Sequence, residues 1–542
     1  MTPISRRAQL LAQAMLVAAL PIAAAVAAPV AANAQEVPTA ERTLPVLAVK
    51  YPYGADAAVE QRPVDRAAAD LRDAITLAYW TNPQLLAQRA TLRSADNRVP
   101  GARAAYGPQL DFVGSHGYQR DRTEIVQGQF IGRDGLSSTA SLIFNQPLFT
   151  FGRNRSAESS ALAQVAFGRD QLRLIEADVM LSVVSSYVAV VRDTQSVGIA
   201  QANLALLTEQ FADSEQRYGV REITATDLEQ VRTRVSFGRA QLLEAQGNLD
   251  SSRANFLRVV GAVPGELGKP DAIAVPVGTL DQAHSIAQAN SPVILAAQSR
   301  EKITRAAVAA ARAEQGPRVD LQGTGAYGAV SPYQNDLRTT NVRGEVVLSV
   351  PLIDSGLRRA QVREAEEAMQ ADWRLIDQAV RDTREAVTSA WAQLTAARAS
   401  LTHYQTAVDA AQRAYDGALI QERAGARTTL DVLDLARDLL TVRTNYVIAE
   451  ANEYVSRAQL LAAMGRLEAP LLVPGVTAYD PTVHYERVAR RGNAPLLTPA
   501  LSALDSIPVG DLTSDRPVRD PAAVLTTGSS VPLVDESTVP KP

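Results

Sequence analysis

Two acidic residues, Asp431 and Asp434, lie in the stretch GARTTLDVLD, which begins at Gly425. Thr428 and Asp431 have the spacing of a capping box, in which a hydroxyl and an acid satisfy the first backbone amides of a helix. The helix start and its dipole therefore account for Asp431. Asp434 lies beyond the first turn and gains little there, yet it shares a helix face with Asp431. Carboxylates paired in this way could bind cations at the mouth of a channel.

An earlier stretch repeats part of this pattern. Thr224 and Asp227 have the same capping-box spacing, and Gln230 stands where the later stretch has Asp434. The earlier stretch therefore keeps the residues that start a helix and lacks the second acid. We interpret Asp434 as the functional acid, and we assign turn and capping roles to Gly425, Thr428, Thr224 and Asp227.

The chain is built from two copies of one unit, which we place at 67–270 and 271–469. Matching residues are 209 positions apart in the early part of the copies and 204 positions apart in the later part. The second copy is thus five residues shorter between Gly323 and Pro351. Deletions are tolerated in surface loops, so we expect an exposed loop there. The matching pairs include Leu71 and Leu280, Pro83 and Pro292, Gly152 and Gly356, and Asp227 and Asp431.

Each copy contains a long stretch without proline, of 116 residues in the first copy and 118 in the second. These stretches are rich in residues that favour helices. Each is interrupted once, near Gly219 and near Gly425, which predicts a helix of about 65 residues followed by a shorter return helix. Small residues dominate these stretches, whereas helices in a solid globular core need a broad stripe of large apolar residues. This composition favours helices packed side by side around a hollow interior. We expect each return helix to stack end to end on the helix that precedes the strands, 224–260 on 71–104 and 428–464 on 280–313. Each repeat then contributes one continuous and one composite rod, which gives four rods per chain.

Two extended segments precede each long helical region, and they alternate apolar and polar residues. Segments of about ten residues with this alternation are typical of membrane-spanning strands. A soluble sheet with one buried face would show the same alternation. Four strands cannot close a barrel, and an open sheet edge in lipid is costly, so several copies would have to pool their strands. The apolar faces carry Leu110, Phe112, His116 and Tyr118; Ala140, Leu142 and Phe144; Val319, Leu321 and Tyr327; and Val342, Val346, Leu348 and Val350.

The two ends of the chain differ in composition from the repeats. A pair of arginines, an apolar run and an Ala-x-Ala-like site predict a secretory signal peptide over 1–34, cut after Ala34. We expect an irregular arm over 35–66 and a Pro-rich tail over 470–542 that is disordered or loosely draped over the protein. No further apolar, charge-free run long enough for a membrane helix is visible, so the exported chain can be periplasmic, released, or an outer-membrane β-barrel.

Composition argues against several classes of function. The chain has no cysteine, so it has no disulfide or thiol chemistry, and its net charge of −4 argues against nucleic acid binding. Its four histidines are scattered, and no P-loop, zincin or nucleophile-elbow motif occurs. We therefore predict no enzyme activity, no metal centre and no cofactor. A periplasmic coiled-coil adaptor or structural protein is the alternative interpretation, but it leaves the paired strands unexplained.

The repeated motifs resemble those of the TolC family of outer-membrane efflux proteins over about 70–469. The resemblance implies a mainly α protein with membrane β structure, in which a homotrimer forms one twelve-stranded β-barrel, four strands per protomer, continued by a long periplasmic α-helical barrel. It implies passive export of drugs, toxins or proteins across the outer membrane, from an inner-membrane pump (RND, ABC or MFS type) and a periplasmic adaptor, as in tripartite efflux or type I secretion. The motifs are Asn82-Pro83, Ser291-Pro292, Gly107-Pro108, Gly316-Pro317, Pro147, Pro351 and the GARTTLDVLD stretch.

The resemblance also implies roles for three residues at the tunnel entrance. Asp431 and Asp434 match the family's paired acids, where cations would block the pore, and Arg427 matches a basic residue that helps hold the entrance shut. Crowding of like charges in a trimer would raise the pKa of these carboxyls. Glu422 stands where the family has a tyrosine, while the first copy keeps Tyr218 at the matching position. The closing contacts of this chain are therefore expected to differ from those of the family.

Overall fold

The computed structural model describes residues 67–491 and 497–506, so the predicted signal peptide and arm lie outside the described residues. The first repeat consists of α1 (Leu71–Thr81), α2 (Pro83–Asp96), α3 (Arg98–Ala104), β1 (Gln109–Val126), β2 (Gln129–Phe149), α4 (Arg153–Gly219) and α5 (Ala225–Val260). The second repeat consists of α6 (Leu280–Asn290), α7 (Pro292–Ala313), β3 (Arg318–Ser331), β4 (Gln334–Ser349), α8 (Leu357–Arg423) and α9 (Thr429–Ala463). Both halves thus present helices, two strands and a long helix pair in the same order.

Prolines divide the helix that precedes each pair of strands. The single helices expected over 71–104 and 280–313 are interrupted before Pro83 and Pro292, because proline has no N–H to continue a helix. Asn82 stands between α1 and α2, and its side-chain oxygen accepts from the backbone N–H two residues later at 2.9 Å. The break is therefore a capped helix start.

The two longest helices, α4 and α8, contain 67 residues each, which corresponds to about 100 Å at the usual rise per residue. The α4 helix packs along α5 and α7, and α8 packs along α7 and α9. The α9 helix also contacts α4 and so joins the two repeats. The helix lengths agree with those expected from the proline-free stretches.

Among the described helices, α4 has an 18-residue window that is apolar enough to cross a membrane by length and composition. Half of that window is buried within the chain. Met180, Val183 and Tyr187 of α4 belong to the main apolar core, together with Phe256 of α5 and Leu460 of α9. A core helix passes the same test, so this window is weak evidence of a membrane span.

Each return helix ends against the break in a shorter helix. The side-chain amide of Asn82 donates to the Val259 carbonyl at 2.9 Å and joins the end of α5 to the α1–α2 junction. Gly261 and Gly465 follow α5 and α9 with φ angles of 78° and 67°. At Gly465 a Cβ atom would come within 2.6 Å of the Asn290 carbonyl oxygen, which shows how closely α9 approaches the α6–α7 junction.

Gly465→Ala is expected to lower the melting temperature of the detergent-solubilised protein. The left-handed backbone costs a non-glycine residue about 1–2 kcal/mol, and overpacking against the Asn290 backbone adds about 1–3 kcal/mol. Gly425→Ala is the matched control, because Gly425 has a φ of 75° but nothing within 4 Å of its Cβ position. Scanning calorimetry should show the larger fall for Gly465→Ala. Equal shifts would contradict the close packing at this junction.

The strands form one antiparallel sheet in the order β1-β2-β3-β4. Phe112 pairs with Leu142, Leu142 with Gly325, and Gly325 with Val342. Directly paired residues share a face, so the register brings the four predicted apolar faces to one side. Phe112, Leu142 and Val342 are exposed, so no described part of the chain covers this side. The alternative of a sheet with one face buried inside the chain is therefore wrong.

The hairpins account for the length difference between the repeats. The strands contain 18, 21, 14 and 16 residues and are longer than the segments of about ten residues that the alternation suggests. The β3–β4 hairpin is the shorter one, and its turn lies within the stretch between Gly323 and Pro351 where an exposed loop is predicted. The five missing residues are thus lost from a strand pair and its turn.

The disordered tail predicted over 470–542 is wrong for 470–491 and 497–506, which are ordered elements of the fold. They include most of α10 (Ala469–Leu472), all of α11 (Pro481–Ala489) and α12 (Leu497–Asp505). Prolines stand in the first turn of α10 and α11, where the missing N–H is not needed. Some of the prolines that suggested disorder therefore mark helix starts. The remaining tail positions lie outside the described residues.

Candidate functional site

The turn between α8 and α9 carries the predicted acidic pair. Gly425 has a φ of 75° and donates its N–H to the Glu422 carbonyl at 2.9 Å, which ends α8. The Thr428 hydroxyl accepts from the Asp431 N–H at 3.2 Å. The Asp431 carboxylate accepts from the Thr428 N–H at 3.2 Å. A complete capping box thus starts α9.

The turn between α4 and α5 has the same construction with a different sequence. Thr224 donates its N–H to the Asp227 carboxylate at 3.0 Å and accepts the Asp227 N–H at 3.2 Å. Arg221 occupies the position that matches Gly425, and its φ of 62° is a conformation that favours glycine. The first repeat therefore builds the same reversal with a charged side chain at the left-handed position.

The caps set the charge of two aspartates. Hydrogen bonds from the Thr428 hydroxyl and N–H hold the pKa of Asp431 below its ordinary value, and the exposed Arg427 guanidinium adds to the effect. Hydrogen bonds from Thr224 lower the pKa of Asp227 in the same way. Both carboxyls are therefore anionic at neutral pH in the single chain. The upward shift expected from crowding would require neighbouring copies.

Asp434 has a partner that sequence reasoning missed. Arg234 of α5 donates from Nη2 to Asp434 Oδ1 at 3.0 Å, which links the two repeats near their turns. Both side chains remain partly exposed, so the pair is worth only about 0–1 kcal/mol. Arg234 lies one helical turn after Gln230, the position that matches Asp434. That spacing was the available signal, but it does not reveal which helices lie side by side.

Buried neighbours orient the two acids. Leu433 packs with residues of α4 and α5, among them Leu207 and Val231. Val432 is also buried, in a cluster that includes Tyr415 and Ala418 of α8. Because Val432 and Leu433 face the helix contacts, Asp431 and Asp434 lie together on the exposed side.

Glu422 forms a second link between the repeats. It is buried, with 8% of its surface exposed, and it accepts from Arg217 Nη1 at 2.9 Å and from the Thr429 hydroxyl at 3.0 Å. Arg217 also donates to Glu222 at 2.9 Å. The hydrogen bond that Arg217 donates to Glu222, together with the charges of both glutamates, raises the pKa of Arg217. We call these four residues, Arg217, Glu222, Glu422 and Thr429, the tip cluster.

The structure thus brings most predicted site residues to one end of the helices. Arg427 lies in the α8–α9 turn, and Asp431 and Asp434 lie in the first two turns of α9. Thr224 caps the start of α5, and Asp227 lies in its first turn. Within the described residues, no group of three or more His, Cys, Asp or Glu is placed to hold a metal ion.

Comparison with known proteins gives the family. The profile of the family described as outer membrane efflux protein matches residues 74–262 and 283–466, one match in each repeat. The outer membrane efflux protein BepC of Brucella suis is 31% identical over 427 residues, covering 77% of this chain and 90% of BepC. The outer membrane protein TolC of Escherichia coli is 23% identical over 425 residues, covering 74% of this chain and 83% of TolC.

A solved structure shares the fold. The open state of the MtrE outer membrane channel from Neisseria gonorrhoeae superposes with a TM-score of 0.63 at 17% identity, covering 76% of this chain and 95% of MtrE. The resemblance to the TolC family is confirmed, and the fold is that of an outer membrane channel rather than of a coiled-coil adaptor. On the match of the family profile to both repeats and the likeness to BepC, the chain belongs to the outer membrane efflux protein family.

Proposed function

We propose that this outer membrane efflux protein works as a homotrimeric channel-tunnel that conducts cargo passively from the periplasm to the exterior. The supporting observation is the sheet, whose apolar face is uncovered and whose edge strands are β1 and β4. In lipid, backbone N–H and C=O groups must be paired within protein. Three copies would join their edges into one closed barrel and turn the apolar faces to the lipid.

Purified protein in detergent tests this assembly. Light scattering corrected for detergent should give the mass of a trimer, and planar lipid bilayers should show stepwise conductance. A water-soluble monomer obtained without detergent would contradict the proposal. N-terminal sequencing of the same material tests whether a signal peptide over 1–34 is removed after Ala34.

The helices supply a second part of the proposal. The turns at the ends of α4 and α8 lie about 100 Å along the helices from the strands. We assign this end to the periplasm, where a periplasmic adaptor and an inner-membrane pump (RND, ABC or MFS type) would deliver drugs, toxins or proteins. A strain that lacks the protein should become drug-sensitive, stop secreting a protein, or both, and the pattern identifies the class of cargo.

Asp431→Asn combined with Asp434→Asn is expected to weaken block of the channel by divalent and trivalent cations. A trimer would place up to six of these carboxylates around one opening, and acidic rings attract cations. We expect the blocking concentration to rise about tenfold or more, which corresponds to about 1.4 kcal/mol of lost cation binding. Single-channel recording with Mg²⁺ or a trivalent cation measures the effect.

Two controls isolate the role of the acids. Asp227→Asn removes an equivalent capping carboxylate from the other turn and should leave the block nearly unchanged. Asp434→Asn with Arg234→Gln separates loss of the carboxylate from release of its cationic partner. An unchanged block in the double aspartate variant, or an equal loss in Asp227→Asn, would argue against the acidic entrance.

We further assign the tip cluster to the closed state of the entrance. Its ion pair between Arg217 and Glu422 connects the ends of α4 and α8, and these ends would have to move apart for the tip to open. Arg427 is exposed on the same turn as the acids, where it is available to a neighbouring protomer. The entrance would thus be held by charged contacts, and Glu422 would replace the tyrosine expected at its position.

A further inference from the structure

The joints between strand and long helix have the same backbone in both repeats. Between β2 and α4, Phe151 and Gly152 have φ angles of 56° and 86°. Between β4 and α8, Ser355 and Gly356 have φ angles of 53° and 88°. Two successive left-handed residues turn the chain from the sheet into a helix of 67 residues in each case. Such a joint presents N–H groups that need acceptors.

In the second repeat the joint supplies its own acceptor. The Asp354 carboxylate accepts from the Gly356 N–H at 3.0 Å and from the Arg358 N–H at 3.1 Å. The Arg358 guanidinium also donates to it at 3.1 Å. These bonds lower the pKa of Asp354, with the Arg358 N–H contributing most. Asp354 thus caps the start of α8 from within the joint.

In the first repeat the acceptor comes from the far end of the chain. Thr150 stands at the position that matches Asp354 and has no carboxylate. Asp505 of α12 accepts instead, from the Thr150 N–H at 2.8 Å, the Thr150 hydroxyl at 2.7 Å and the Gly152 N–H at 3.1 Å. Asp505 is buried, with 5% of its surface exposed. The N–H groups of Gly152 and Gly356 are equivalent, so Asp505 accepts at the first joint the bond that Asp354 accepts at the second. The Asn154 N–H, which matches that of Arg358, donates to the Thr150 hydroxyl at 3.3 Å.

Further contacts attach the C-terminal segment to the first repeat. The Tyr479 N–H donates to the Tyr79 hydroxyl at 2.9 Å. His484 Nδ1 lies 2.8 Å from an oxygen of Asp96, which is fully buried. The Ala489 carbonyl accepts from Arg103 at 2.8 Å. The segment therefore lies along α1, α2 and α3 before α12 reaches the joint.

We propose that residues 470–491 and 497–506 act as a clamp that completes the strand–helix joint of the first repeat, with Asp505 as the residue that positions the start of α4. On the proposed function, this joint is where the membrane barrel meets the tunnel, so the clamp fixes the direction in which α4 leaves the sheet. The second repeat has no such cover among the described residues: Leu352 and Ile353 beside its joint are 86% and 93% exposed. The clamp itself is a property of the single chain and does not depend on channel activity.

Hydrogen exchange in the purified protein tests the clamp. Asp505→Ala should speed exchange of the Thr150 and Gly152 amides at the start of α4 by about tenfold or more, because both amides donate to Asp505. The first amides of α8 should be unaffected. Asp354→Ala is the matched control and should give the opposite pattern, with α8 affected and α4 protected.

The decisive variant gives the first repeat a carboxylate at the position that matches Asp354 of the second repeat. Thr150→Asp with Asp505→Ala places a carboxylate where the second repeat has one, and it should restore protection at the start of α4. If Asp505→Ala fails to assemble and the double variant assembles, the clamp is supported. Unchanged exchange in Asp505→Ala, or no recovery of protection or assembly in the double variant, would overturn it. Because the readout is local exchange, failure of the clamp is distinguishable from failure of the channel proposal.

Discussion

Leu142→Arg should remove the protein from the outer membrane. Leu142 lies on the uncovered apolar face and is 49% exposed in the chain, and that face would contact lipid in the assembled barrel. An arginine on the lipid face of a membrane strand costs about 2–4 kcal/mol at mid-bilayer. The cost occurs three times in a trimer. We expect little or no folded trimer in the outer membrane, measured by flotation of membranes and by resistance of the trimer to dissociation in detergent.

The neighbouring residue provides the control. Ser141 precedes Leu142 in β2, and its side chain points to the opposite, polar face because strand side chains alternate. Ser141→Arg should therefore assemble almost normally and change only conductance or ion selectivity. If both arginine variants assembled equally well, the assignment of the two faces to lipid and lumen would be wrong. If neither variant assembled, this part of β2 would not tolerate arginine on either face, and the test would not support a difference between the two faces.

Glu422→Arg should open the entrance. The variant removes the hydrogen bonds that Glu422 accepts from Arg217 and Thr429 and places two like charges together. A hydrogen bond to a charged group contributes about 1.5–3 kcal/mol, and a trimer would lose the contact three times. If opening breaks this contact, the ratio of closed to open channels should fall by about 100-fold or more. Single-channel recording should show a higher resting conductance.

Two further variants make this test specific. Glu222→Gln removes the other carboxylate that contacts Arg217, but Glu222 lies in the turn after the same helix, so conductance should stay near normal. Arg217→Glu combined with Glu422→Arg restores an ion pair of reversed polarity and should recover much of the closed state. Low conductance in Glu422→Arg itself would exclude the tip cluster from gating.

Periodicity predicts the fold well because each signal is local. Proline-free stretches and the glycines that interrupt them predict α4, α5, α8 and α9, and the alternation of apolar and polar residues predicts the faces of all four strands. The duplication adds an internal check, since Thr224 and Thr428 both start return helices with capping boxes. Patterns of this kind depend on neighbours a few residues apart, which the sequence displays directly.

The candidate site is predicted less completely because its contacts cross between helices. The sequence shows that Asp434 is an acid that does not cap a helix. Its pairing with Arg234 depends on how α5 lies beside α9, which the sequence does not show. Glu422 is recognisable only as a departure from the family's tyrosine, and its bond to Arg217 joins residues 205 positions apart. A Pro-rich composition does not show whether a proline ends a helix or starts one, and Pro481 starts a helix in the segment where disorder is predicted.

The position of Asp505 has a consequence for biogenesis. Thr150 and its acceptor are 355 positions apart, so a growing polypeptide presents the first barrel hairpin long before the residue that secures its exit into the helices is synthesised. A nascent or prematurely terminated chain that lacks Asp505 would therefore contain the first hairpin without the carboxylate that accepts from Thr150 and Gly152 at its base.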